Sequence, residues 1–356
     1  MSLNFLLVLI VPTLVLLVSF FLFERKYTLG HVFLQFGIQV VVCLIAFLIT
    51  FNWSLYDTEV WNGQVTDKKS VQVHCRHSYP CNCHTVDCGK NCETTVCDTC
   101  YEHPYDIDWD VYTNIDETIT INPIDSQGLQ EPPRWAQVKI GEPVCAQKMY
   151  VNYIKANKDN LMIPKGVAKS YLKDLVGYPL DIYDYYHLKR IINKAGSIKV
   201  DDSWNSTLED MLSKLGPTKR CNIVVLFVRN MNPQYFYAMK EHWINGKKND
   251  IIPVISLDDK DKIQWVEVMT LSTADMARIK IRDDLKAMGI LDKDKFFTIL
   301  NTDIQNYYKH VSMKNYKYLE ENRALSTGQL IFLLIFSFVI SIGLSIFFVK
   351  ECPEED

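Results

Sequence analysis

Three uncharged apolar runs, Phe5–Phe23, Val32–Phe51 and Leu330–Val349, bracket a middle region where apolar and polar residues alternate on a much shorter scale. Each run is about 20 residues, the length at which a helix crosses roughly 30 Å of hydrocarbon. The runs predict three transmembrane helices. The first does not read as a cleaved leader, because Met1–Asn4 carries no positive charge and no small-residue cleavage site follows Phe23. Arg25 and Lys26 fill the short loop between the first two runs, and basic loop residues favour the cytoplasm. That orientation places Met1 and residues 53–327 on the extracytoplasmic side and the C-terminal tail in the cytoplasm. Lys314, Lys317 and Arg323 weigh against it, although charges within a folded domain count for less. Gln35 and Gln39 sit one turn apart, and Ser337, Ser341 and Ser345 share a face, a pattern suited to close helix packing.

After the second run the pattern shortens to period two. Val60-Trp61-Asn62-Gly63-Gln64-Val65 puts Asn-Gly between apolar flanks, which predicts a hairpin turn. Ile107, Trp109 and Val111 alternate with Asp106, Asp108 and Asp110, which read as the solvent face of a strand. Ser126–Pro143 has the Pro and Gly content of a linker, with Trp135 expected to dock on a neighbouring surface. The aromatic patch Asp181–His187 suits a ligand surface or core packing.

From Asp202 the pattern is regular. Trp204, Leu208, Met211, Leu212 and Leu215 have helical spacing, with Gly216-Pro217 as the stop. Asn222–Val228 and Ile251–Leu257 read as strands buried on both faces, joined by a helix with Phe236, Met239 and Trp243 on its inner stripe. That is a β-α-β unit with parallel strands. A third strand, Lys262–Met269, and a helix with Phe296, Leu300 and Ile304 complete it. The predicted class is an α+β membrane protein. Its parts are residues 1–52 (two transmembrane helices), 53–125 (a cysteine-rich β-domain), 126–201 (linker and irregular region), 202–327 (an α/β domain) and 328–356 (a third transmembrane helix and tail).

Composition changes one part of this picture. A net charge of -4 gives no case for nucleic-acid binding. Cysteine does matter: seven of eleven lie in His74–His103, with four of the eight histidines. So polar a stretch needs cross-links in place of a core. On the outer side of a membrane disulfides persist, and the candidates are Cys75, Cys81, Cys83, Cys88, Cys92, Cys97 and Cys100, with Cys145 or Cys221 as partner of the seventh. The alternative is zinc held by Cys81, Cys83, Cys97 and Cys100, whose paired spacing also suits a tetrahedral site. A second candidate is the acidic turn Asp258, Asp259 and Asp261, oxygen-rich as calcium or magnesium sites are, or else a solvated turn. No Gly-rich phosphate loop, HExxH or G-x-S-x-G is present.

Two resemblances rest on these residues. Trp204 to about Val311, with its helix, the strand NIVVLFV, the helix ending Trp243-Ile244-Asn245-Gly246 and the strand IIPVISL, resembles the TPM-domain family. The likeness covers under a third of the chain, and the family's usual Asp-Tyr-Ala opening is missing. It implies a three-layer α/β fold; some members are described as phosphatases, others as binding or assembly factors. Val60-Trp61-Asn62-Gly63, His77-Ser78-Tyr79-x-Cys81-Asn82-Cys83, Cys97-x-x-Cys100-Tyr101-Glu102-His103 and the segment Asp125–Trp135 are similar to membrane proteins of large tailed bacteriophages. That implies a bacterial envelope or virion setting. The expected function is membrane-anchored binding or assembly with a protein partner or in a homo-oligomer. The alternatives are a metal-dependent hydrolase using the acidic turn, and a channel or lysis factor.

Overall fold

The computed structural model describes residues 3–22, 29–53, 55–89, 92–155, 166–271, 275–322 and 325–351. Arg25, Lys26 and Arg323, on which the orientation argument drew, lie outside the described residues. The chain divides into two compact units.

The first unit is built on helices α1 (Leu3–Leu22) and α2 (Leu29–Trp53) and the C-terminal helix Thr327–Glu351. All three are long and apolar enough to cross a membrane. Most of their large apolar side chains face outward, while Phe5, Val8, Cys43, Phe47 and Leu333 pack together inside. The serine stripe Ser337, Ser341 and Ser345 is buried against the other two helices. There Gln35 Nε2 donates to Ser345 Oγ at 2.9 Å, and Ser19 Oγ lies 3.0 Å from the same hydroxyl. Gln39 is equally buried, yet neither of its amide atoms has a hydrogen-bond partner among the described residues. The two glutamines therefore predict opposite results. Gln39→Leu is expected to stabilise the bundle by about 1–2 kcal/mol, the cost of an unmet buried amide, whereas Gln35→Leu removes the donor to Ser345 Oγ and Ser341 O and weakens it. SDS unfolding in mixed micelles measures both, and a destabilised Gln39→Leu protein would sink the argument.

The second unit, residues 58–148 and 163–311, holds most of the remaining fold. Strand β1 (Tyr56–Val73) leaves through a long hairpin, β2 (Ser78–Gly89) and β3 (Cys92–Tyr101), and the chain returns as β4 (Asp106–Thr113). β1 and β4 pair antiparallel from Val65↔Thr113 to Val73↔Asp106. With β5 (Thr118–Ile121) and β6 (Pro143–Val151) they make a sheet in the order β5-β4-β1-β6. The expected turn at Asn62-Gly63 is not one. Both residues lie inside β1, because Asn62 sends its amide to Cys221 O at 2.9 Å, and a Cβ at Gly63 would run into Asn114 and Ile115. Nor are Asp106 and Asp108 solvent-facing; both are buried, engaged by Arg76. Trp135, on the short helix α3 (Pro133–Gln137), packs against Trp109 with ring centroids 4.8 Å apart.

The α/β part has a mixed sheet at its centre. Short hairpin strands β7 (Ile182–Tyr183) and β8 (His187–Leu188) precede edge strand β9 (Ile191–Asn193). Helix α4 (Ser203–Lys219) runs through Gly216-Pro217 instead of stopping there, and ends at Arg220 with positive φ. Strands β10 (Asn222–Ile223) and β11 (Val225–Arg229) both lie parallel to β12 (Asp250–Leu257), with helix α5 (Gln234–His242) crossing between them. β13 (Ile263–Met269) pairs antiparallel on β12's other side. Alternate residues of these strands feed two cores. Val225, Phe227 and Ile255 face α4, α6 (Asp275–Ala287) and α7 (Lys293–Tyr307); Leu226, Val228 and Val254 face α5 and the segment carrying Tyr171 and Val176. Asp292 caps α7 by accepting from Lys295 N at 2.9 Å.

Candidate functional site

The β2–β3 hairpin stands apart from both cores, and nearly all its described side chains are exposed. A lone two-stranded hairpin is marginal in water. Here disulfides Cys81–Cys100 and Cys83–Cys97 tie the strands together, one nested within the other. The four sulfurs offered as zinc ligands are therefore bonded to each other, which removes them as a thiolate set. Cys88 and Cys92, expected in a further bridge, have side chains outside the described residues.

Cys75, Cys145 and Cys221 are free thiols, all buried, so the bridge expected from the seventh cysteine to Cys145 or Cys221 is not formed. Cys145 packs with Val60 and Leu188, and Cys221 lies in the main α/β core. Burial pushes the Cys221 thiol up to about 12, so it stays protonated and inert.

Cys75 has different neighbours. Two short crossings, residues 74–77 and 102–105, carry the chain from the β1–β4 ladder into the hairpin and back, and Glu102 N bonds His77 O at 2.9 Å between them. This places Cys75 Sγ 3.8 Å from His103 Nδ1, and His103 Nδ1 3.5 Å from Asp106 Oδ1. Asp106 is 6 % exposed; its Oδ2 accepts from Arg76 N at 2.9 Å, while its Oδ1 has no well-formed hydrogen bond among the described residues. The Arg76 amide holds the Asp106 carboxyl below its usual range against the opposing effect of burial, and the Cys75 thiol, then the charges of His77 and His103, add to the lowering. The ring of His77 lies edge-on to that of His103 at 5.9 Å.

The acidic turn is engaged within itself. Asp258 Oδ1 accepts from Lys260 N and Lys262 N at 2.8 and 2.9 Å. Asp259 accepts from Asn230, and the Arg229 guanidinium sits 3.3 Å from Asp261. A cation here would face the Arg229 charge.

One buried polar cluster escaped the sequence reading. Arg190, 1 % exposed, bonds Asn62 on β1 and Asn222 on β10, and Asn222 in turn reaches Asp250 at 2.9 Å. Beside it His187 bridges Glu142 and Glu209 at 3.6 and 3.4 Å. Burial lowers the His187 pKa, but the Glu209 hydrogen bond and the charges of Glu209, Glu142 and Asp184 outweigh it and leave the imidazole raised. The cleft among these groups offers about 10 Å³ of free space, enough for one water. The cluster is a strut joining the β1–β4 sheet to the α/β part. Of the aromatic patch, Tyr186 is wholly buried while Tyr183 and Tyr185 are exposed.

No family model matches the chain, and neither a curated protein nor a solved structure matches it.

Proposed function

We propose that the protein is a membrane-anchored binding or assembly factor whose contact element is the disulfide-braced hairpin β2–β3. The observation that carries this is a hairpin held by two bridges whose apolar groups are left uncovered. Tyr79, Val86, Val96 and Tyr101 are between 40 and 47 % exposed. Cross-links that hold a rigid shape without a core lower the ordering cost when a partner docks. Aromatic and branched side chains on a preset surface suit a protein partner or a second copy of the chain. The disulfides support an extracytoplasmic hairpin, with the three apolar helices as anchor. The phage-like segments support an envelope or virion setting, and the TPM-like order of elements supports a binding fold.

A photo-crosslinker placed at Val86 or Val96 in membranes of producing cells tests this. One discrete adduct is expected from each position, lost when Cys81 and Cys83 are both serine, and absent when the probe is moved to exposed Ile198. An adduct at twice the chain's mass would identify a homo-oligomer. A hairpin that yields no adduct from either position would remove the reading.

A further inference from the structure

We propose that Cys75, His103 and Asp106 form a binding site for one zinc-type divalent cation at the root of the hairpin. The ligand atoms lie within 4.8 Å of one another, and two of the three residues are buried. Asp106 Oδ1 is the telling atom: a buried carboxylate oxygen with no well-formed hydrogen bond among the described residues, facing a thiol and an imidazole nitrogen. Native structures rarely leave a buried carboxylate oxygen so weakly bonded without a role.

The geometry separates a cation from the obvious rival, a Cys-His-Asp nucleophile. In that arrangement the acid orients one ring nitrogen while the other serves the thiol. Here both Cys75 and Asp106 meet the same nitrogen, His103 Nδ1, so no proton can be relayed through the ring. Three donors converging on one point is what a metal requires. Tetrahedral zinc, with Zn–S about 2.3 Å and Zn–N and Zn–O about 2.0 Å, sets S···N near ~3.5 Å and N···O near ~3.3 Å. The observed 3.8 and 3.5 Å are each slightly wider, as for ligands that draw in by a few tenths of an ångström on binding.

Ligand chemistry selects the ion. A thiolate with imidazole and one carboxylate favours zinc over calcium or magnesium, which take hard oxygen donors. The nearby Arg76 guanidinium is paired with Asp108 and so does not occupy Asp106. The His77 ring or a water supplies the fourth ligand. Binding converts the Cys75 thiol to thiolate and releases its proton to solvent. Through these residues the ion joins the 74–77 crossing to the 102–105 crossing, fixing the hairpin's angle where the disulfides do not reach. The site is independent of any partner for the hairpin.

The test uses the full chain in detergent, disulfides intact, freed of metal by chelator without thiol reductant, and titrated with cobalt(II). A thiolate-to-cobalt charge-transfer band should saturate at one equivalent and bleach when zinc is added. Cys75→Ser should lose the band. Asp106→Asn and His103→Gln should weaken binding by more than about tenfold, the loss that even outer-sphere partners of a metal produce. A wild-type protein without the band at saturating cobalt, or a band undiminished in Cys75→Ser, overturns the proposal. Should Cys75→Ser fail to fold, unchanged affinity in His103→Gln, whose side chain is 21 % exposed, overturns it equally.

Discussion

Lys248→Met is expected to destabilise the second unit by about 3–5 kcal/mol at neutral pH, the cost of stranding one member of a buried ion pair. Glu59 and Lys248 are 3 % and 7 % exposed; Lys248 Nζ donates to Glu59 Oε1 at 3.0 Å and lies 2.9 Å from Oε2. Trp61 Nε1 also donates to Oε1, at 2.8 Å. The next residue, Asn249, bonds Val60 O at 2.7 Å, so the pair sits where β1 meets the loop before β12. Replacing both charges, as Glu59→Leu with Lys248→Met, should recover most of the loss, since well-packed apolar pairs match buried ion pairs in stability. The pH dependence has a defined sign. Burial pushes the Glu59 carboxyl up, but His310, Trp61 and Lys248 outweigh it and leave its pKa below the ordinary 4.5. A depressed carboxyl stabilises the fold above its unfolded pKa, and that contribution disappears as pH falls through the folded value. In Lys248→Met the burial effect stands with less opposition, so the Glu59 pKa rises. The stability gap between variant and wild type should therefore narrow on acidification. Chemical denaturation at neutral and acid pH measures it, and a gap independent of pH would contradict the assignment.

The sequence pattern carried the three apolar helices because no charge interrupts their runs, and the parallel pair β11–β12 because burial there is continuous. Asn222–Val228 and Asp250–Leu257 are entirely buried. It misplaced elements where a tertiary contact overrides a local signal. Asn62-Gly63 has turn chemistry, yet it serves close approach: Asn62 is 3 % exposed and bonded to Cys221 of the α/β part, and Gly63 makes room for Asn114. Helix α6 was missed because its sequence, DMARIKIRDDLKA, is mostly charged; only Ala277, Ile281 and Leu285, at every fourth position, mark its buried side. The cysteine stretch was legible as cross-linked, but its paired spacings drew attention to Cys81, Cys83, Cys97 and Cys100. Cys75, His103 and Asp106 flank the hairpin on both sides, and they become neighbours only once its strands pair. Had the hairpin been taken as closed, the mirrored positions of Cys75 and His103 about it would have pointed to the same cluster.

Gly216→Ala gives the second large effect, and here helix propensity and packing act with opposite signs. Gly216 lies inside α4 with helical backbone, where alanine is favoured over glycine by about 1 kcal/mol. But a Cβ at this position would come within 2.0 Å of Asn62 O and 2.6 Å of Asn62 C. These are backbone atoms of β1, which cannot swing aside as a side-chain tip could. Relief requires the helix and strand to part by more than an ångström, on the order of 1 Å or more beyond what packed interiors absorb. That motion would also break the Asn62 bonds to Cys221, Asn222 and Arg190. Arg190 would then lose one of its buried hydrogen-bond acceptors. The steric and polar losses together should exceed about 3 kcal/mol, the upper range for overpacking, and overwhelm the propensity gain. Asp210→Ala, on the exposed side of the same helix, supplies the contrast: propensity alone acts there, and stability should rise by a few tenths of a kcal/mol. If Gly216→Ala were as stable as wild type, helix α4 and strand β1 would not be in the close contact that joins the two sheets of this unit.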